Sequence, residues 1–215
     1  RTQVQTHSSL ETHGLVAKWE GDKLTVWAST QGVFGVRDDL AKFFNLTPSN
    51  VHVITEVMGG GFGSKFGAGV EGTAAARLAI EAGAPVKLML SRHEEHLAVG
   101  NRPSSVQRIK IGATKDGKLV AFQSKVYGTG GIAGGAGVPL PYVYEAIPNR
   151  KTEHTEVRIN AGSSRAMRAP GHPQAGFGMA CAMDELADRL GIDLLELCRR
   201  NESTQNEIRL KQYEI

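Results

Sequence analysis

Cysteine is scarce in this chain of 215 residues, which contains only Cys181 and Cys198. They do not form a C-x-x-C pair, and no histidine stands at finger spacing from them. A zinc finger and a cysteine-ligated iron–sulfur cluster are therefore excluded. The expectation is two free, buried thiols of a reducing compartment, with a disulfide between them as the lesser alternative. Long apolar runs are missing too, so nothing approaches the roughly 18 residues a membrane span needs. Charge of one sign is not in excess: the net charge is +3, dispersed along the chain, and gives no nucleic-acid footprint. Arg1 to Ser9 lack the apolar core of a signal peptide. The chain also opens at Arg1 without an initiator Met, so a segment excised from a longer protein is expected. The cytoplasm is the expected compartment, with the periplasm as the alternative.

Glycine is what the chain has in excess: 26 residues, about 12% against a usual share of about 7%. No G-X-Y period runs through them, so a collagen helix is excluded. They concentrate at 59–69 and 128–137. Hydrophobic residues at 40% and charged residues at 22% are values of a chain that buries a core.

The patterning predicts an α+β fold. Leu15–Trp19 and Leu24–Ala28 alternate around Gly21-Asp22-Lys23, a hairpin signal. A helix follows over about 36–44, with Val36, Leu40, Phe43 and Phe44 on one face and Asn45 as its stop. Val51–Val57 reads as a strand and 59–65 as a glycine loop. A second helix runs over 70–82 on Val70, Ala74 and Leu78, and 85–90 forms another strand. This ββαβαβ order is a sheet with helices packed on it, a two-layer unit over 1–100. A second α+β unit, 101–215, begins with a hairpin around Lys115-Asp116-Gly117-Lys118. An irregular crossing loop follows over 128–150, then a strand at 155–159. A helix whose apolar face is Phe177, Ala180, Met183, Ala187 and Leu190 stops at Gly191. Asp193 and Glu196 suggest a capping box opening a last helix. Trp19 and Trp27 both suit core packing.

Gly59-Gly60-Gly61-Phe62-Gly63 lies between a strand and a helix, where glycine lets backbone amides approach an anion. The order Gly63-Ser64-Lys65 breaks the Walker A pattern. A loosened dinucleotide loop over Gly61, Gly63 and Gly67, with Arg92 beside a 2′-phosphate, leaves an NADP-binding module open. A second loop, Arg165 to Gln174, also precedes a helix, and Arg165 with Arg168 could clamp a phosphate. His172 in that loop either faces a cofactor or sits solvated in the turn. His93 and His96 read as surface residues, and a metal site from His7, Glu11 and His13 has little in its favour. A non-catalytic scaffold is the remaining alternative.

Several motifs occur in order: Glu11-Thr12-His13, Ser29-Thr30-Gln31, Met58 through Lys65, Met167-Arg168-Ala169-Pro170-Gly171-His172-Pro173-Gln174, and the stretches 182–187 and 193–197. Together, over about 7–202, they resemble the molybdopterin-binding subunit of the xanthine dehydrogenase/aldehyde oxidase family, the molybdenum hydroxylases. The resemblance implies cofactor contacts at Gln31, Gly60, Gly61, Phe62, Gly63 and Arg168. It also implies no metal-ligating side chain, the molybdenum being held by the pterin dithiolene near Gln31, Phe62 and Arg168. The implied cofactor is molybdenum–molybdopterin, with the cytosine dinucleotide form as a variant. Iron–sulfur clusters and FAD would sit on partner domains or subunits. The implied reaction is hydroxylation of an aldehyde or N-heterocycle, with water as the oxygen source. The family's catalytic Glu belongs to a motif beyond Ile215, so no catalytic residue is expected in this segment, and turnover by it alone is not expected. Phe66 stands where the xanthine enzymes carry an acid, and Pro170 where they carry an aromatic. These changes favour an aldehyde or a different heterocycle over a purine.

Overall fold

The computed structural model describes residues 1–133 and 137–202. Residues 134–136 of the expected crossing loop and the polar tail from Ser203 lie outside the described residues. The chain forms two compact units. One comprises Gln5–Arg102 with Arg165–Arg168, and the other comprises Arg1–Val4, Pro103–Ser164 and 169–202. A division near residue 100 leaves Arg165–Arg168 on the far side. They join the glycine-loop unit because Arg165 N–H bonds the Asn101 carbonyl and Arg168 N–H bonds the Phe62 carbonyl.

The first unit is a mixed sheet with helices on one face. Strands β2 (Gly14–Glu20) and β3 (Lys23–Ala28) form the expected hairpin, turned by Gly21 at φ 62. Helix α1 (Val33–Phe44) crosses over to β4 (Val51–Ile54), which pairs parallel with β3. Asn45 stops α1 in the left-handed region at φ 54. Helix α2 (Gly69–Ala82) leads to β5 (Val86–Met89), antiparallel to β2, giving the strand order β4-β3-β2-β5. Three further elements, α3 (Arg92–Ala98), β1 (Gln5–Thr6) and β6 (Asn101–Arg102), are too short to leave a period in the sequence. Helix α3 is set by a capping box between Ser91 and Glu94.

Close packing decided which helix faces turned inward. On α2 the buried positions are Glu71, Gly72, Ala75, Ala76 and Ala79, while Val70 is 67% and Leu78 48% exposed. The small face lets the helix settle onto the sheet: a Cβ on Gly72 would stand 3.0 Å from Leu15. Leu15, Ala17, Leu24 and Val26 meet these alanines together with Val36 and Leu40 of α1. Phe43, expected on the buried face, is exposed. Trp19 fulfils its packing role, edge-on to Phe44 with Nε1–H donating to the Ala76 carbonyl at 2.9 Å. Trp27 does not. It points from the opposite sheet face and lines an open cleft of about 310 Å3 with Val16, Ile54 and Met89.

In the second unit β7 (Ser105–Ala113) and β8 (Leu119–Thr129) form the expected hairpin. Strand β9 (Asn149–Val157) lies parallel to β8 and begins before the predicted 155. Helix α4 (His172–Leu190) stops at Gly191, φ 65, but its buried positions are Gln174, Ala175, Met179, Met183 and Ala187, and Phe177 is exposed. The Asp193 side chain caps α5 (Leu194–Arg200) by accepting from Leu195 and Glu196 N–H. The reciprocal half of the capping box is absent, because Glu196 instead accepts from Arg200 at 2.9 Å. Asn201, fully buried, accepts from Leu119 N–H and donates to the Gly117 and Leu197 carbonyls, tying α5 to the hairpin. Both thiols are free, but neither is fully buried. Cys181 is exposed, and half-buried Cys198 accepts from the Tyr144 hydroxyl. Among the described residues no helix is long and apolar enough to cross a membrane.

Candidate functional site

The glycine loop of the first unit is held at both ends by charged and polar groups. At its start the Glu11 carboxylate accepts from Gly59 N–H and from the Ser29 hydroxyl, both at 2.7 Å. At its end Lys65, 1% exposed, donates from Nζ to the Glu11 carbonyl at 2.8 Å and to Ser29 Oγ at 2.7 Å. Its ammonium lies 3.9 Å from the Glu11 carboxylate. Burial pushes the Lys65 pKa down, against the opposing pull of Glu11 and Glu95. Burial also pushes the Glu11 carboxyl up, but Gly59 N–H, the Ser29 hydroxyl and Lys65 together hold it below its ordinary value.

A second buried pair lies behind Glu11. His13 donates from Nδ1 to Glu95 at 2.9 Å, and both side chains are buried. Arg92 reaches the same carboxylate and the carbonyls of Ser9 and Leu10. Helix α3 thereby fixes the segment 9–13 that carries Glu11. Burial lowers the His13 pKa, more than Glu95 raises it.

The Ser29-Thr30-Gln31 segment leaves β3 directly against the loop. The Thr30 hydroxyl and Gln31 N–H both donate to the Lys65 carbonyl, at 2.8 and 2.7 Å. Gln31 Oε1 accepts from Gly63 N–H at 2.7 Å and from Lys65 N–H at 3.4 Å. Two donors therefore fix which end of the amide is oxygen, and Nε2 is left without a protein acceptor among the described residues. The absence of a side chain at Gly61 gives Gln31 its place, since a Cβ would stand 2.5 Å from Gln31 Cδ.

From Gly61 the chain makes a tight turn closed by Ser64 N–H and Oγ on the Gly61 carbonyl. Phe62 and Gly63 take φ 51 and φ 104, both left-handed. For a phenylalanine this costs on the order of 1–3 kcal/mol, a strain that concentrates at functional sites. The Phe62 ring is 49% exposed and folds over Gly60, where a Cβ would meet it at 2.9 Å. The amides of Gly60, Gly61 and Phe62 have no protein acceptor among the described residues. Successive free backbone donors are the kind of group from which anion-binding sites are built.

Gln31, Gly60, Gly61, Phe62, Gly63 and Arg168 come together in one place. Arg168 N–H donates to the Phe62 carbonyl at 2.7 Å, and its guanidinium is exposed. Arg165 does not join it in a phosphate clamp, because its Nη1 donates to the Ser64 carbonyl at 3.1 Å. His172 belongs to the second unit, half-buried and edge-on to Tyr142 at 5.5 Å. His93 and His96 are exposed on α3, and His96 bonds the Ser8 hydroxyl. Among the described residues no three His, Cys, Asp or Glu side chains gather as a metal-holding group. The sequence motifs contain Glu11 and Lys65 without assigning them a role, His7 figures only in a discounted metal set, and Arg102 in none. Local patterning gives no sign that a lysine, an arginine or a histidine will be buried under a loop distant in sequence.

The dinucleotide reading fails at the start of α2. Asp39 accepts Ala68 N–H at 3.0 Å, and the Glu71 carboxylate lies against Gly69. Two carboxylates at that helix N-terminus exclude a pyrophosphate, and the mixed sheet is not the parallel one such loops need.

A family model described as the molybdopterin cofactor-binding domain matches residues 1–202. The aldehyde oxidoreductase molybdenum-binding subunit PaoC of Escherichia coli strain K12 is 34% identical over 198 residues, covering 91% of this chain and 27% of its own. The probable hypoxanthine oxidase XdhD of the same strain is 32% identical over 207 residues, covering 93% and 21%. The solved aldehyde oxidoreductase of Desulfovibrio gigas matches with a TM-score of 0.77 at 28% identity, over 91% of this chain and 22% of its own. The chain thus spans about a quarter of the length of these relatives.

Proposed function

The chain belongs to the molybdopterin cofactor-binding domain family, and from that premise we propose that it is the cofactor-gripping part of a molybdenum hydroxylase catalytic subunit. The observation that carries this reading is the donor set. The amides of Gly60, Gly61 and Phe62 and the Nε2 group of Gln31 are free of protein acceptors among the described residues, while the flanking Gly59 and Gly63 N–H groups are bonded to Glu11 and Gln31. Such donors suit an oxygen-rich, anionic group that arrives with its metal already ligated. When bound, the molybdenum–pterin group, with its cytosine dinucleotide form as a variant, supplies the two-electron redox chemistry of C–H hydroxylation. This chain's residues bind and orient. Gln31 presents its amide donor, Phe62 shields one side, Arg168 places a cation beside the loop, and Lys65 with Glu11 keeps the loop closed from beneath.

The substrate class is an aldehyde or an N-heterocycle. Phe66, 54% exposed, puts an apolar ring just past the loop lysine, where no carboxylate is available to a purine. Electrons leave through iron–sulfur clusters and FAD on partner domains or subunits, and the catalytic base comes from elsewhere in the polypeptide. The exposed free thiol of Cys181 suits a reducing compartment, the cytoplasm.

The test uses the full-length polypeptide that carries this chain. Metal analysis should find molybdenum bound, and aldehydes or N-heterocycles should be hydroxylated with oxygen from labelled water. Gln31→Ala and Arg168→Ala should each lower turnover about 100-fold or more, the scale of losing one aligned donor. Parent-level activity in both variants would sink the roles assigned here.

A further inference from the structure

Strands β1 and β6 form a ribbon of two residues on each side, pairing Gln5 with Arg102 and Thr6 with Asn101. A pairing this short adds little stability by itself. Its side chains and those next to it nevertheless converge on one segment, Arg165–Arg168. Arg165 N–H donates to the Asn101 carbonyl at 3.0 Å. His7, 1% exposed, has Nε2 at 2.8 Å from the Ala166 carbonyl and Nδ1 at 3.2 Å from the Gly100 carbonyl. Arg102, 6% exposed, donates from Nη2 to the Met167 carbonyl at 3.1 Å and to the Arg168 carbonyl at 2.7 Å. Every carbonyl from Ala166 to Arg168 thus meets a buried side chain of the ribbon or of His7 beside it.

The other side of the segment meets the glycine loop. Arg168 N–H bonds the Phe62 carbonyl, and Arg165 Nη1 bonds the Ser64 carbonyl. The Ala166 carbonyl comes so close to Gly63 that a Cβ there would stand 2.8 Å away. The segment is therefore held between a polar ribbon and the proposed cofactor loop. Burying a guanidinium is costly, and an apolar contact would stabilise the fold at least as well. A guanidinium offers fixed donor directions instead, here one nitrogen forked between two successive carbonyls.

We infer that His7 and Arg102 are positioning residues that set Arg168 against the glycine loop. This inference rests on the cofactor reading above. The ribbon is then an alignment device: it fixes the backbone of 165–168, and that backbone fixes where the Arg168 guanidinium begins. Both act through the Ala166, Met167 and Arg168 carbonyls.

The experiment compares the full-length polypeptide with its Arg102→Gln, Arg102→Lys and His7→Gln variants. Hydrogen exchange by mass spectrometry reads the amides of 165–168, electron paramagnetic resonance reads the reduced molybdenum centre, and steady-state kinetics separates kcat from KM. In Arg102→Gln the Arg165 and Arg168 amides should exchange at least about tenfold faster, the equivalent of losing about 1.4 kcal/mol of local stability. The resonance spectrum should shift, and kcat should fall roughly 100-fold, the scale of a 1 Å misplacement, with KM little changed. Arg102→Lys, which keeps a donor, should recover part of each loss. Should Arg102→Gln fail to accumulate, His7→Gln carries the same readouts. Parent-like exchange and a parent-like spectrum in the glutamine variants would overturn the positioning role. A parent polypeptide without molybdenum would overturn the cofactor reading instead, and the exchange data would keep the two failures apart.

Discussion

Gly61 concentrates the logic of the site in one residue. The Gln31 side chain lies where its Cβ would be, at 2.5 Å, so Gly61→Ala must push Gln31 off Gly63 N–H. Gln31 is exposed and its side chain can swing aside, so the expected cost is no more than about 1 kcal/mol, the lost hydrogen bond, together with loss of bound molybdenum. Thermal unfolding and metal analysis of the full-length protein check both. Gln31→Ala removes the same hydrogen bond without the added methyl. The side chain is exposed, so stability should fall by no more than about 1 kcal/mol, one hydrogen bond's worth, while turnover falls. Parent-level turnover in Gln31→Ala, with a loss of stability, would show that Gln31 serves the fold alone. The glycine cluster was legible in the sequence because a glycine-rich loop is local, whereas Gln31 was singled out only by the family resemblance. Lys65 was not legible in its buried role. A lysine after such a loop reads as a solvated charge until Glu11 and Ser29 arrive from distant positions.

At the scale of elements, stops proved more legible than faces. Asn45, Gly83 and Gly191 end their helices in left-handed conformations, as residue type alone suggests. The buried faces of α2 and α4 depart from the apolar pattern, because apolar size and burial part company when a helix packs closely on a sheet. Val70, Leu78 and Phe177 stayed outside, while Ala75, Ala76 and Ala175 went in. The cap of α5 offers a test of the same distinction. Asp193 accepts two N–H groups, so Asp193→Ala should cost about 1 kcal/mol in urea unfolding. Glu196 pairs with Arg200 on the surface rather than closing the box, so Glu196→Ala should cost no more than about 0.5 kcal/mol. Equal losses would mean the reciprocal bond forms after all.

For the molecule as a whole, the buried charges should make stability depend on pH. Burial holds the His13 pKa below its ordinary 6.5, with Glu95, Glu71 and Lys65 around it. The unfolded chain thus takes up a proton near pH 6.5 that folded His13 takes up only at lower pH. Its contribution is complete above about 6.5 and is lost as the pH falls below it. Glu11, held below 4.5, adds a second loss in the acid range below that value. The urea midpoint should decline as the pH is lowered from about 7.5 to about 5.5, and His13→Gln should flatten that decline. An unchanged slope in the variant would place the titration elsewhere. Turnover is also a whole-molecule property. The chain spans about a quarter of its relatives' length, so residues 1–215 alone should not hydroxylate any substrate, and product formation by them would refute this.

The sequence by itself determined the α+β class, the hairpins at Gly21 and Gly117, the glycine loop and the family. Each of these depends on residue type and short-range order, which a linear string contains. Only the tertiary structure decided which loops meet and what lies beneath them. It set Arg168 on the Phe62 carbonyl, closed the glycine loop with Glu11 and Lys65, and brought His7 and Arg102 under a segment far along the chain. A buried polar group is tolerated only where its partners converge on it, and that convergence exists once the chain has folded.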